Sequence, residues 1–295
     1  MLLVASAIWG SAFVAQRLGA EAMPPAAFTA VRHLLGALVL VPAVVWYDRS
    51  RRITPREGRY RTRSVLVPGA AIGVALFAGS YLQQFGLEYT TAGNAGFITS
   101  LYMVFVPLAG RFLGHRISTW AWGGVALATV GLYLLSVREG FAMSLGDTLV
   151  LACAVAWTVQ ILLIDRYAPS LDPLRLAATE FFACGVLATV VALVTETDPF
   201  AGTRAAAVPL LYAAVLSTGV AFTLQVLAQR DTKPSTAALI MALESVFAAT
   251  AGALYLGERM DARSLVGCAL MLVGIVAAQR NPAAEPVPGH PETQA

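Results

Sequence analysis

Long apolar runs without a single charged residue constrain this chain more than any other feature of its sequence. Runs of this kind cover residues 64–87, 89–110, 117–137, 148–164, 205–229 and 264–279. A transmembrane helix needs roughly 20 predominantly apolar residues, so each run predicts one membrane span. The whole chain is 58% hydrophobic and 13% charged, against about 25% charged residues in soluble domains. This composition excludes a sizeable soluble catalytic domain.

Four further spans carry a single charge within or beside an apolar run. They cover residues 1–16 before Arg17, about 26–47 with Arg32, about 172–195 with Glu180, and 234–257 with Glu244. The sequence therefore predicts an all-α integral membrane protein with ten transmembrane helices. Residues 281–295 are rich in proline and lack an apolar run, which predicts a disordered tail.

The first span starts at Met1 with no basic residue before it. We leave open whether Met1 is the natural start, and a cleaved signal peptide is disfavoured because such peptides carry a positive first region.

The basic residues indicate how the chain is oriented in the membrane. Apart from Lys233 they are all arginine, and the densest group lies between Arg49 and Arg63. Assigning loops to alternate sides, with both termini inside, places about 14 of the 20 basic residues on the inner side. Positive residues prefer cytoplasmic loops, so we expect a multi-pass protein of the cytoplasmic membrane with both termini in the cytoplasm. The basic group is short and lies between two spans, which disfavours nucleic-acid binding.

The chain repeats itself at an offset of 142 to 148 residues. The offset of 148 aligns Trp9 with Trp157, and the offset of 142 aligns Gln83 with Gln225 and Tyr102 with Glu244. We therefore predict two five-helix units, residues 1–137 and 146–280, joined by a linker at 138–145. Because five is odd, the second unit crosses the membrane in the opposite sense, as in the inverted repeats of many secondary transporters.

Several motifs together resemble the EamA family of the drug/metabolite transporter superfamily. They are Ile8-Trp9-Gly10-Ser11, Arg32, Gln83, Tyr89-Thr90-Thr91-Ala92, Phe97-Ile98-Thr99-Ser100-Leu101-Tyr102, Pro107 and Leu256-Gly257-Glu258-Arg259. The resemblance covers about residues 1–280. It implies ten helices in two EamA units, and export or exchange of small metabolites across a cytoplasmic membrane. His115 departs from the pattern, because the second unit has Glu258 at the matching position.

Charged side chains inside a bilayer are costly and are usually functional. Glu244 lies near the middle of its span, where an unpaired carboxylate is unfavourable, so we expect a protonated resting form that can exchange its proton. The alternative is a protonated side chain that bonds to a neighbouring helix only for packing. Arg32 and Glu180 are 148 residues apart and occupy equivalent positions of the two units. They are either partners or symmetric gates, or they lie near helix ends and reach the lipid headgroups. We assign coupling or gating to Glu244, Arg32 and Glu180.

Uncharged polar residues in the spans point into the helix bundle, since lipid offers them no partners. We predict a substrate site formed by Trp9, Gln83, Asn94, Tyr102, Trp157, Gln225 and Glu244. For the glutamines simple bonding between helices is the alternative, and for the tryptophans packing between helices. Pro107 predicts a kink or hinge in its helix.

These observations favour a secondary transporter that works by alternating access, with a small-molecule substrate, the lipid bilayer as its other partner and a proton as the candidate coupling ion. Cys153, Cys184 and Cys268 show neither disulfide nor metal-binding spacing, so no cofactor or metal is predicted. A membrane-embedded enzyme lacks a recognisable motif here, and a non-transporting scaffold needs no inverted duplication. The sequence leaves open the substrate, the direction of transport, and whether the protein is a monomer or a homodimer.

Overall fold

The computed structural model describes residues 1–90, 92–115, 117–136, 144–255 and 261–278, and within these ranges the regular structure is helical throughout. The helices are α1 (Leu2–Ala20), α2 (Pro25–Ser50), α3 (Pro55–Gly86), α4 (Ala92–Thr99), α5 (Tyr102–Phe112), α6 (Thr119–Ser136), α7 (Leu145–Tyr167), α8 (Pro173–Thr195), α9 (Ala207–Leu211), α10 (Thr223–Gln229), α11 (Pro234–Met241), α12 (Glu244–Tyr255) and α13 (Ala262–Ala278). A 3₁₀ turn covers Ala201–Thr203, and the π-helical segment Tyr212–Phe222 joins α9 to α10.

Eight helical stretches of the described residues are long and apolar enough to cross a membrane, and α6 and α13 contain shorter apolar helices. An all-helical membrane protein is therefore confirmed. The arrangement as ten spans in two inverted units stays a prediction.

Local sequence signals set where several helices begin. Proline, which has no backbone N–H to leave unbonded, is the first residue of α2, α3, α8 and α11. At α7, Ser144 and Asp147 form a capping box in which each side chain accepts the backbone N–H of the other residue. Asp172 caps α8 by accepting the N–H of Arg175 at 3.1 Å.

The helices pack in a small number of close pairs. The main pairs are α6 with α13, α2 with α8, α3 with α7, α3 with α8, α1 with α12, and the π-helical segment with α1 and with α2. The pair of α2 and α8 is antiparallel, and at each end of the pair a carboxylate side chain accepts hydrogen bonds from the other helix. Glu196 accepts hydrogen bonds from the N–H groups of Ala26 and Ala27 at the start of α2. At the end of α2, both carboxylate oxygens of Asp48 accept hydrogen bonds from the Arg175 guanidinium in α8.

Two predicted spans are broken near their middles. The span at 89–110 is divided at residues 100–101 between α4 and α5, and the span at 234–257 at residues 242–243 between α11 and α12. Pro107 lies inside α5, so the interruption that we expected at the proline is found six residues earlier. The physical reason is a tight turn with bonds between residues three apart, such as Leu101 N–H to the Ile98 carbonyl at 3.1 Å.

Three predictions fall on parts of the chain that are not described. These are the linker at 138–143, the Leu256-Gly257-Glu258-Arg259 element and the tail at 281–295. The helix α7 begins at Leu145, one residue before the predicted boundary of 146.

Candidate functional site

The two halves of the chain meet around one central cavity of about 40 Å³, enough for roughly three water molecules. Its lining includes Trp9, Phe13, Gln16, Arg32, Gln83, Thr99, Tyr102, Trp157, Gln160, Ile161, Ser217, Phe222, Gln225, Met241 and Glu244. Six of the seven predicted substrate-binding residues are thus brought together, and Arg32 joins them. The seventh, Asn94, lies in a separate pocket.

The broken helices end at this cavity. Tyr102 is the first residue of α5 and Glu244 is the first residue of α12. The bonds on either side of the two breaks correspond residue by residue at an offset of 142. Leu101 N–H to Ile98 carbonyl (3.1 Å) matches Leu243 to Ile240 (3.2 Å), and Met103 to Ser100 (3.1 Å) matches Ser245 to Ala242 (3.2 Å). Each break therefore places one polar side chain at the start of a half-helix, at the cavity wall.

Glu244 and Tyr102 face each other in the cavity. Both are buried, at 5% and 4% exposure, and the two side chains lie close to each other. Glu244 Oε1 and the Tyr102 hydroxyl nevertheless make no hydrogen bond of ordinary geometry. Gly10 on α1 allows α12 to approach, because a Cβ there would lie 2.6 Å from the Glu244 carbonyl oxygen. The carboxyl group therefore lies in the cavity with an oxygen, Oε1, that can still form a hydrogen bond with a ligand.

Aromatic rings form one wall of the cavity around Phe222. Its ring centroid lies 4.7 Å from that of Trp9 and 5.5 Å from that of Trp157. Both indole N–H groups are bonded, Trp9 to the carbonyl of Ser217 at 3.3 Å and Trp157 to Gln83 Oε1 at 3.2 Å. The tryptophans thus line the cavity and also fix neighbouring helices.

Amide side chains form a polar part of the lining. Gln83 donates to Gln16 Oε1 at 3.2 Å, and Gln160 and Gln225 exchange amide bonds of 3.1 and 3.4 Å. The two interpretations given for Gln83 and Gln225 are therefore compatible, because the same side chains line the cavity and bond between helices.

Arg32 and Glu180 are both inside the bundle. Their exposures of 2% and 0% do not fit the alternative in which they reach lipid headgroups. They form no ion pair with each other in the described structure, so the partner interpretation is not supported either. Arg32 lines the cavity, whereas Glu180 is not part of the cavity lining and lies near Gln160.

A second pocket lies at the joined ends of α1, α3 and α7. It is lined by Arg17, Glu88, Tyr89, Thr90, Asn94, Ser144 and Asp147. Thr90 donates to Asp147 Oδ1 at 2.6 Å, and Arg17 donates to the carbonyls of Leu87 and Thr90. Burial raises the pKa of the Glu88 carboxyl, and the nearby carboxylate of Glu196 raises it further. These contacts hold the end of α3 against the start of α7.

The predicted substrate site left out several cavity residues, namely Phe13, Gln16, Thr99, Gln160, Ile161, Ser217, Phe222 and Met241. Gln16 and Gln160 carried a usable signal, since an amide in an apolar run indicates an inward-facing position. Phe222 carried none. Within the described residues, no group of three or more His, Cys, Asp or Glu side chains could hold a metal ion.

Comparison with known proteins gives the family. The profile of the EamA-like transporter family matches residues 1–137 and again residues 144–278. The chain belongs to the EamA-like transporter family. An uncharacterized transporter of Archaeoglobus fulgidus is 34% identical to this EamA-like chain over 276 residues, which cover 93% of this chain and 83% of the relative. The uncharacterized transporter YoaV of Bacillus subtilis is 22% identical, with 91% of each chain covered.

A solved crystal structure has the same fold as this EamA-like chain. It superposes with a TM-score of 0.71 over 93% of this chain and 96% of the other at 19% identity. The family match and the relatives named as transporters, together with the apolar helices, make the protein a membrane transporter of the EamA type.

Proposed function

We propose that this EamA-like transporter carries small polar organic molecules, such as amino acids, drugs or related compounds, across the cytoplasmic membrane by alternating access. The observation that carries the proposal is the central cavity, whose polar and aromatic lining comes from both halves of the chain. Substrate sites of secondary transporters lie near the membrane midplane where repeats meet, often at broken helices. Export and exchange are both compatible with this site.

The proposal includes two inverted five-helix units, residues 1–137 and 146–280. The packing supports it, because exchanging the halves turns every main helix pair except one into another main pair or into itself. The exception, α1 with α12, becomes the less extensive contact of α7 with α5. The matched breaks at residues 100–101 and 242–243 support it too. So do Asp48 and Glu196, which are 148 residues apart and each bind the start of the partner helix. Two units of the same fold with opposite orientation in the membrane can form two states of similar energy, one open to each side of the membrane. Alternating access requires such a pair of states.

The orientation, with both termini and the Arg49–Arg63 loop in the cytoplasm, rests on the distribution of basic residues. In the described structure Arg49, Arg51, Arg52, Arg56, Arg59 and Arg63 are exposed. The end of α2, the turn at residues 51–54 and the start of α3 thus present positive charge of the kind that cytoplasmic loops of membrane proteins carry.

Glu244 is the proposed coupling residue and Tyr102 its partner. When the cavity is closed, a neutral carboxyl group is favoured, because few bonds compensate a buried charge. When water or a substrate amine enters, the proton can leave and the amine can take its place. Substrate and proton then compete for one group, which couples their movements in opposite directions.

Replacing Glu244 with Gln tests this coupling, because the change keeps the shape of the side chain and removes its titration. Purified protein in liposomes should lose flux driven by a pH gradient, while expression and folding stay intact. Glu180→Gln is the matched comparison, since that carboxyl group is equally buried but lies outside the cavity, and Glu57→Gln on the exposed loop is the neutral control. If Glu244→Gln keeps an unchanged dependence on the pH gradient, Glu244 is not the coupling residue. Loss of coupling in Glu180→Gln alone would move the role to Glu180.

A further inference from the structure

We infer that the transported molecule carries a carboxylate group and that Arg32 binds it. The inference rests on the proposed transport function and adds the chemistry of one end of the substrate. Its basis is a cation enclosed at the cavity without a protein partner.

Arg32 extends from α2 to the cavity and is 2% exposed. Its guanidinium makes no hydrogen bond and no ion pair with any described residue, and its Nε is buried without a partner. A buried charge of this kind strongly destabilises a protein unless an opposite charge compensates it. The remaining compensation must come from what enters the cavity.

The titratable groups that interact electrostatically with Arg32 do not supply a negative charge. They are His33, Cys153 and Cys184, and thiols buried in apolar surroundings are inert. His33 Nδ1 donates to the Thr29 carbonyl at 2.8 Å, and its Nε2 lies 3.4 Å from Ser80 Oγ, which ties the ring to α2 and α3. Glu244 lines the same cavity but is not within ion-pair distance of Arg32 in the described structure.

A carboxylate fits this site better than a phosphate group. Arg32 is the one basic residue among the described cavity-lining positions, so a single negative charge is balanced and a double charge is not. The planar guanidinium can bind both oxygens of a carboxylate at once. The aromatic wall of Trp9, Trp157 and Phe222 then receives the apolar part of the molecule.

The first test uses acetate, the smallest stable probe of this chemistry with a methyl group. Thermal unfolding of the purified full chain in detergent is followed in sodium acetate, in sodium chloride at the same ionic strength, and in acetamide. Acetate should raise the melting temperature, whereas chloride and acetamide should not. Larger monocarboxylates, including amino acids, are then compared with their primary amides. If acids and amides stabilise the protein equally, or no acid stabilises it, the inference is wrong.

Variants assign the effect to Arg32. Arg32→Gln should bind carboxylates about tenfold to a hundredfold more weakly, the range expected for loss of a charge-assisted hydrogen bond. Without ligand it should be at least as heat-stable as the parent, because it removes an uncompensated buried charge, whereas a merely structural arginine would leave a destabilised variant.

Arg32→Lys keeps the charge, so it should retain weaker carboxylate binding if the Gln variant fails to fold. Arg63→Gln, an exposed arginine outside the cavity, should bind like the parent. Unchanged carboxylate binding by Arg32→Gln would overturn the assignment.

Liposome flux separates this inference from the transport proposal. Carboxylates that bind through Arg32 but do not cross the membrane would overturn the transport proposal and leave the Arg32 site standing. Compounds without a carboxylate that cross equally well in the parent and in Arg32→Gln would overturn the Arg32 site and leave transport standing.

Discussion

Two buried amides of this transporter form a reciprocal pair. Gln160 on α7 and Gln225 on α10 bond to each other at the cavity wall. Removing one partner leaves a buried polar group unsatisfied, which costs about 1–3 kcal/mol, whereas replacing both partners by apolar groups can be nearly neutral. Gln160→Leu and Gln225→Leu should therefore each lower thermal stability by about this amount, and the double variant should recover most of the loss. Additive losses in thermal unfolding would contradict the pairing.

At the residue scale the sequence predicted several of the polar residues that line the central cavity. Gln83, Gln225 and Glu244 were recognisable because a polar group in an apolar run must face the bundle. Phe222 was not recognisable, because a phenylalanine that lines a cavity and one that faces lipid have the same sequence context. Asn94 was placed in the wrong pocket for the same reason: the sequence shows that a side chain is polar but not which end of the bundle it approaches.

At the scale of elements, the breaks in two spans were not predictable from residue type. Neither residues 100–101 nor residues 242–243 contain glycine or proline, and the interruption arises from short-range backbone bonds. The proline that did attract a prediction, Pro107, lies inside an unbroken helix. The duplication supplies the missing signal, since the same break recurs at an offset of 142.

The pairing of α6 with α13 depends on glycines that let the two backbones touch. A Cβ at Gly124 would lie 2.4 Å from the Gly274 carbonyl oxygen, whereas a Cβ at the neighbouring Gly123 would meet nothing within 4 Å. Gly124→Leu should lower the stability of the purified protein by at least about 1–3 kcal/mol through overpacking. Gly123→Leu is the matched control and should be neutral or slightly stabilising, since leucine favours helix more than glycine does. Equal melting temperatures for the two variants would contradict this packing.

At the scale of the whole molecule, the chain places unequal chemistry at equivalent positions of its two halves. Tyr102 and Glu244 start matching half-helices, and Arg32 and Glu180 share the offset of 148. Matching positions of the two halves thus carry different side chains, and the cavity receives a cation from one half and a carboxyl group from the other. The sequence alone gave the offset and the candidate residues, but the unpaired state of Arg32 depends on tertiary contacts that no sequence pattern reports.

Access to the cavity from each side of the membrane tests the central claim most directly. Ser217 lines the cavity and is 1% exposed, so Ser217→Cys in a background without Cys153, Cys184 and Cys268 places one thiol at the proposed substrate site. Glu57→Cys in the same background is the control and should react with an impermeant thiol reagent from the cytoplasmic side only. The account predicts that the Ser217→Cys thiol reacts with reagent added to either side, and that a bound carboxylate substrate slows both reactions. Reaction from one side only under all conditions, or from neither side, would contradict alternating access through this cavity.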